Sequence, residues 1–413
     1  MKYIVFLGDG MADYKVPELG DKTPLEKANK PNIDRLASKG EVGLVQTVPD
    51  GVPPGSDTAN LSVMGYDPKE YYTGRSPLEA VSMGLELKPD DMTFRVNLVT
   101  LSDEEPFENK IMLDYSSDEI STEEAAQLIN AVNGHFRTED LEFFPGISYR
   151  HCMVWHGAEK AMDGSFALVP PHDILERRIA EYLPKGGKSE ILLNMMRKSA
   201  DFLNEEPINR TRIEKGLNPA NTLWIWGEGR VPQLSSFEEK YGIKGAVVSA
   251  VDLIKGIGIC AGLKSYDVEG ATGTIDTNFP GKAEAAIQAL QSGADFVYLH
   301  MEAPDECGHR YEIDSKVKSI EMIDELVIGP VIDALEEMKS STGEEYSVMV
   351  LPDHPTPLSL RTHTSDPVPY LIYRSDAEEH MVDGYDEIQA QNTGILITEG
   401  HRLMDRFLSD SES

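Results

Sequence analysis

Short apolar runs alternate with segments of helical pattern through most of this 413-residue chain, and that alternation constrains the fold more than any other feature. The runs are Tyr3 to Leu7, Leu223 to Trp226, Ala246 to Ala250, Phe296 to His300 and Tyr346 to Leu351. A strand apolar on both faces has to be covered on both faces, so the pattern predicts an α/β sheet between two layers of helices. Several runs end in residues with chemistry. Asp9 follows the first, His300 and Glu302 sit at the fourth, and Asp353 and His354 follow the fifth. Ligands of open α/β sheets bind at the carboxyl ends of strands, so a site is expected there.

The stretch from about Asp91 to about Gly187 differs in character. It has strand-like pieces of its own, Phe94 to Leu101 and Ser148 to Trp155, a helical piece from Thr122 to Asn133, and the loop Val169-Pro170-Pro171-His172-Asp173. A chain of this length exceeds the size at which one core usually stops growing. The expected organisation is a catalytic domain built from 1–90 and 188–413, with 91–187 inserted as a smaller α+β domain.

Charge narrows the partners. Lys and Arg total 38 against 71 Asp and Glu, a net charge of −33, and no basic stripe offsets it. Nucleic acid and anionic membranes would be repelled. An anionic small molecule would need a local cluster of Arg, Lys or metal. No run approaches the roughly 20 apolar residues of a membrane span. The cysteines Cys152, Cys260 and Cys307 are scattered and odd in number, which fits a reducing cytoplasm better than a disulfide framework. Oligomeric state stays open.

Directly after the fourth run comes Ala303-Pro304-Asp305-Glu306-Cys307-Gly308-His309. Asp and His four apart can bind one cation from a single turn, although surface helices produce this spacing by chance. Leu351-Pro352-Asp353-His354-Pro355 follows the fifth run, where a bent strand end can turn both polar residues to one cation; the alternative is a surface loop. Nine residues after His354, Arg361-Thr362-His363-Thr364-Ser365 adds a histidine. Asp9 stands beside Gly10, where backbone can approach a ligand closely. Together Asp9, Asp305, His309, Asp353, His354 and His363 make a mixed oxygen and nitrogen set suited to manganese, zinc or magnesium. Six ligands are too many for one ion, and two ions about 4 Å apart clamp the oxygens of a phosphoryl displacement.

The segment Pro49 to Leu61 reads as a loop opening a helix, with Ser56 at or near the N-cap. Capping alone would account for a serine there. The functional reading makes Ser56 a nucleophile, with the helix N-terminus favouring negative charge on a phosphoserine. Ser62, inside the helical pattern, is a poorer candidate.

The order Asp9, Gly55-Ser56-Asp57, Asp305-x-x-x-His309, Asp353-His354 and His363 resembles the alkaline-phosphatase superfamily. Within it the chain is similar to the archaeal-type, cofactor-independent phosphoglycerate mutases. The likeness extends through Phe6-Leu7-Gly8-Asp9-Gly10-Met11-Ala12-Asp13, Gly65-Tyr66-Asp67-Pro68, Tyr72-Thr73-Gly74-Arg75-Ser76-Pro77-Leu78-Glu79-Ala80, Pro171-His172-Asp173 and the segment Ala271 to Asn278. The resemblance implies an alkaline-phosphatase-like three-layer sandwich. It implies one divalent ion on Asp305, His309 and His363, and a second on Asp9, Asp353, His354 and the Ser56 oxygen, with manganese named first and zinc or magnesium as alternatives. It implies that Ser56 takes the phosphoryl group from one hydroxyl of phosphoglycerate and returns it to the neighbouring one while the inserted domain covers the substrate. Arg75, Arg95, Arg150, Arg212 and Lys282 are the candidates for holding phosphate and carboxylate, with His172 and Asp173 near the transferring hydroxyls; each could instead be a surface or structural charge. A homoserine kinase-like transfer and a metal-dependent phosphatase are the competing enzymes, and an acidic metal-binding protein is the non-enzymatic alternative.

Overall fold

In a computed structural model the protein is described over residues 1–158, 166–377 and 380–409. Among these residues the strands are, in chain order, β1 Lys2–Gly8, β2 Glu41–Val45, β3 Met92–Leu101, β4 Met112–Asp114, β5 Leu141–Phe144, β6 Arg150–Trp155 and β7 Thr222–Gly229. They continue as β8 Gly245–Val248, β9 Lys264–Tyr266, β10 Phe296–Met301, β11 Tyr346–Leu351, β12 Val368–Arg374 and β13 Leu396–Ile397. The chain divides into two compact units, 1–72 with 233–413, and 73–232.

The first unit holds an eight-stranded sheet in the order β13-β2-β12-β11-β1-β10-β8-β9. Its centre is parallel: β1 runs beside β10 and β11, and β10 beside β8, while β12 is antiparallel to both β11 and β2. Ile4, Phe6, Val297, Leu299, Val348 and Val350 share one core with Ala283, Ala286, Ile320, Ile323 and Val331 from the helices Phe279–Gln291, Ile313–Ile323 and Gly329–Thr342. On the opposite face Tyr298 reaches the helix Ser56–Val63 through Asn60, and Tyr3 meets Phe407 edge to face. Strands covered on both faces need no polar alternation, which is why they read as nearly continuous apolar runs. Gly8 pairs with Met301, and Leu7 with Leu351, so β1, β10 and β11 leave the sheet at one level. That shared exit places their polar followers together.

The second unit holds a five-stranded sheet in which β3 pairs with β4, β6 and β7 and β6 with β5, all antiparallel. The helix Thr122–Phe136 starts at Ser121, whose side chain accepts from the Glu124 N–H, and buries Ala125, Leu128, Ile129 and Val132 along one stripe. Burying Leu128 and Ile129 contributes roughly 1.5–3 kcal/mol each.

Two expectations need correction. The run at Leu223 to Trp226 is a strand, but it pairs with β3 in the smaller sheet, Arg95 opposite Trp226 and Leu98 opposite Leu223, and not with the large sheet. The smaller unit therefore extends beyond 91–187 at both ends. The helix Ser189–Leu203 belongs to it because Leu192 and Met196 enter the same core as Leu223 and Ile225. Among the described residues no helix is long and apolar enough to cross a membrane.

Candidate functional site

The larger unit gathers its chemistry where β1, β10 and β11 end. Asp9 follows β1, and Gly10 takes a left-handed φ of +62° that lets its N–H donate to Asp353 Oδ1 at 3.2 Å. A Cβ on Gly10 would lie 2.6 Å from Thr356 Oγ1 and 2.7 Å from Asp305 Cα, so only glycine fits the approach. The helix Ala303–Arg310 begins two residues beyond β10 and carries Asp305 and His309 one turn apart. Asp353 and His354 follow β11 directly.

These residues form two groups, Asp305 with His309 and His363, and Asp9 with Asp353 and His354; within each, the ligand atoms lie within 4.8 Å of one another. In the first, His309 Nε2 is 3.2 Å from Asp305 Oδ2, and His363 Nε2 is 3.4 Å from Asp305 Oδ1. The His309 and His363 Nε2 atoms face each other at 2.9 Å. His309 Nδ1 lies 3.0 Å from the Arg361 carbonyl and donates to it, which turns Nε2 inward. Two imidazole nitrogens this close need a proton or a cation between them. In the second group His354 Nε2 lies 3.4 Å from Asp353 Oδ2 and 3.7 Å from Asp9 Oδ1. Asp9 Oδ1 is buried without a hydrogen-bond partner among the described residues. An orphaned carboxylate oxygen beside converging nitrogen and oxygen donors fits a hard or borderline divalent cation.

Ser56 is the first residue of its helix, and the N-cap is Gly55, so the serine hydroxyl does not serve as the cap. Ser56 Oγ lies 3.2 Å from His354 Nε2 and 3.4 Å from Asp9 Oδ2, against the second group. Its position comes from the layer behind. Asn60, one turn along, donates to the Ser56 carbonyl at 2.8 Å and to Asp353 Oδ2 at 2.9 Å, while the Tyr298 hydroxyl donates to Asn60 Oδ1 at 2.6 Å. His300 Nε2 meets Asp9 Oδ2 at 3.0 Å, and its Nδ1 meets Ser249 Oγ at 3.2 Å.

The electrostatics show carboxylates crowded together. Burial, then the charges of Asp353, Asp305 and Glu302, push the Asp9 carboxyl well above its ordinary value. Burial works against ionised Asp305 too, but hydrogen bonds from His309 and His363 hold it well below. Its partner His309 is pushed up to about 9, chiefly by the hydrogen bond to Asp305. Burial drives His300 down to about 3, and burial with the charges of Asp305 and Glu306 drives Glu302 up to about 7.

The remaining candidates divide by unit. Lys282, in the larger unit, is fully buried with Nζ 3.4 Å from the His300 carbonyl, and burial pushes it down to about 8 against the pull of Glu302. In the smaller unit Arg95 bonds Glu79 at 3.0 Å and lies 4.2 Å over the Trp226 ring. Burial lowers its pKa, and the nearby charges of Arg75 and Arg150 lower it further, so three arginines share one field. Arg150 sits 5.6 Å over Tyr149. His172 stands edge-on to Trp226 at 5.5 Å and Tyr115 at 6.1 Å, with Asp173 Oδ1 3.8 Å from its Nε2. Arg212 does not join them. Its guanidinium is buried, with Nε, one terminal nitrogen and the other bonding the Asn218 carbonyl, Glu124 and the Ser117 carbonyl.

Asn60, Tyr298 and Thr356 were not singled out from sequence, for none sits in a spacing that signals metal chemistry; their role appears only through what they touch.

Residues 37–209 match the family model described as 2,3-bisphosphoglycerate-independent phosphoglycerate mutase. A Geobacter sulfurreducens protein described as a probable 2,3-bisphosphoglycerate-independent phosphoglycerate mutase is 50% identical, covering 99% of this chain and 100% of the relative. A Methanothrix thermoacetophila protein with the same description, without the qualifier, is 47% identical over 98% of each chain. Of solved structures, one of a Pyrococcus horikoshii protein superposes with a TM-score of 0.81 at 31% identity, covering 100% of this chain and 99% of that one. That of the cofactor-independent phosphoglycerate mutase from Thermoplasma acidophilum gives 0.66 at 25% identity, covering 99% of each.

Proposed function

The chain belongs to the 2,3-bisphosphoglycerate-independent phosphoglycerate mutases, and on that premise we propose that it interconverts 3-phosphoglycerate and 2-phosphoglycerate by way of a phosphoserine at Ser56. In this reading Asp305, His309 and His363 hold one divalent ion, and Asp9, Asp353, His354 and Ser56 Oγ hold the other, manganese being the first candidate. Bound there, such ions lower the pKa of a hydroxyl and offset the negative charge of phosphoryl oxygens.

The observation that carries the reading is the Ser56 hydroxyl, free of any capping duty and within 3.4 Å of both Asp9 and His354. Ser56 Oγ gives up its proton and bonds to phosphorus as the substrate's P–O bond breaks, and the freed substrate oxygen takes up a proton. The neighbouring hydroxyl then loses its proton and attacks the phosphoserine, restoring Ser56. Phosphate is conserved and the product differs only in position. Asn60 holds the serine's turn and Asp353 together during both steps. Arg75, Arg95 and Arg150 supply positive charge for the phosphate and carboxylate, with His172, Asp173 and Lys282 as the further contacts of the reading. Glycolytic chemistry of this kind belongs in the cytoplasm, and Cys152, Cys260 and Cys307 are free thiols.

Ser56→Ala with manganese tests the proposal. The variant should bind metal as wild type does and lose mutase activity by on the order of 10⁴-fold or more. Substantial residual isomerisation would overturn it. Release of free phosphate by wild type, or transfer to added homoserine in place of glycerate, would replace the mutase with one of the two competing enzymes.

A further inference from the structure

Thr356 belongs to neither metal-ligand group, yet it touches both. Its Oγ1 donates to Asp305 Oδ1 in a very short hydrogen bond and lies 3.3 Å from His354 Nδ1. A hydroxyl has one proton to give. With that proton on Asp305, Oγ1 can meet His354 only as an acceptor, so His354 carries its proton on Nδ1. His354 Nε2 is then the bare nitrogen, and it is the atom that faces Ser56 Oγ at 3.2 Å. One side chain therefore sets the carboxylate of one group and the tautomer of the other.

The surroundings hold Thr356 still. Its N–H donates to the Ala12 carbonyl at 3.2 Å, and its carbonyl accepts from Lys316 Nζ at 2.8 Å. Lys316 is fully buried and pairs with the buried Asp13 at 2.7 Å; Asp13 in turn accepts the Leu358 N–H at 3.1 and 3.2 Å. A Cβ on Gly308 would come 2.5 Å from the Thr356 carbonyl oxygen and 2.9 Å from Cγ2, while one on Gly10 would come 2.6 Å from Oγ1. Glycine at both positions leaves room for the threonine.

We propose that the Thr356 hydroxyl is a positioning group shared by the two metal sites, so that removing it weakens both. The inference rests on the two-metal reading above. Isothermal titration of manganese chloride into metal-free, full-length protein tests it. Wild type should bind two ions per chain; fewer than two would defeat the two-metal reading itself. Thr356→Val keeps the shape without the hydroxyl and should lower both affinities, each by about 10- to 100-fold. Thr356→Ser keeps the hydroxyl without the methyl and should bind like wild type. Two sites of wild-type affinity in Thr356→Val would overturn the inference, as would weakening at one site alone. Should Thr356→Val fail to fold, the serine variant still decides: a loss of affinity in Thr356→Ser would show that packing, and not the hydroxyl, matters at this position.

Discussion

Arg212 in the smaller unit and Asp9 in the larger are both buried charged groups that the sequence offered as site candidates, and their surroundings are opposite. The Arg212 guanidinium has a carboxylate and two carbonyls spread over its nitrogens. Asp9 has three further acidic groups in its field and one oxygen with no hydrogen-bond partner among the described residues. A buried charge whose valences the fold itself satisfies is part of the architecture. A buried charge left short of partners, amid others of its own sign, marks a place for a counter-charge from outside. Arg212 was open to a structural reading from the start, and the accounting of partners separates the two.

The largest effect expected from this contrast is on stability at Arg212. The guanidinium ties the helix Pro207–Glu214 to a turn in which Ser117, Asp118 and Glu119 take φ of 50°, 53° and 48°. Side-chain-bearing residues resist that left-handed region, so the turn depends on its anchors. Arg212→Ala should cost about 3 kcal/mol in urea unfolding. A loss confined to KM, with stability intact, would return Arg212 to the substrate contacts.

Asp9 should respond with the opposite sign. Without metal, Asp9→Asn removes a charge that burial and Asp353 oppose, and should raise stability by about 1 kcal/mol. With manganese at about 100 times its dissociation constant the order should reverse, because wild type alone gains the roughly 2.7 kcal/mol of the site that Asp9 completes. Thermal unfolding with and without manganese measures both. A destabilised Asp9→Asn without metal would break the comparison.

How much of this was legible beforehand depended on whether position in the chain implied position in space. Asp9, Asp305, Asp353 and His354 follow apolar runs, and parallel strands that exit at one level bring such followers together, so these residues could be picked out. Strand identity carried less information about pairing. The run at Leu223 to Trp226 is as apolar as the central strands, but nothing in it distinguishes a partner in one sheet from a partner in the other. The layer behind the ligands, Asn60, Tyr298 and Thr356, acts through single hydrogen bonds across long sequence separations, which leave no periodic trace.

His151 sharpens the rule through pH. Its Nδ1 accepts the Gly146 N–H at 3.1 Å, and among the described residues its buried Nε2 has no hydrogen-bond partner and it joins no group of converging carboxylates and imidazoles. An orphan atom alone thus marks no site; convergence is needed. Burial pushes this imidazole down to about 3. Between pH 6.5 and about 3 the unfolded chain takes a proton there and the folded chain does not, so stability is held above pH 6.5 and lost as pH falls. Wild type should lose about 1.4 kcal/mol per pH unit relative to His151→Gln across that window. Parallel pH dependences in the two proteins would show that the imidazole finds a partner or solvent.

The central claim is that the phosphoryl group rests on Ser56. The direct measurement is to incubate the manganese-loaded protein with phosphoglycerate labelled in its phosphate, quench in acid within a turnover, and locate the label by peptide mass spectrometry. Label on the peptide that contains Ser56, absent from Ser56→Ala, is the result predicted. Full isomerisation with no label on Ser56 at any quench time would contradict the account.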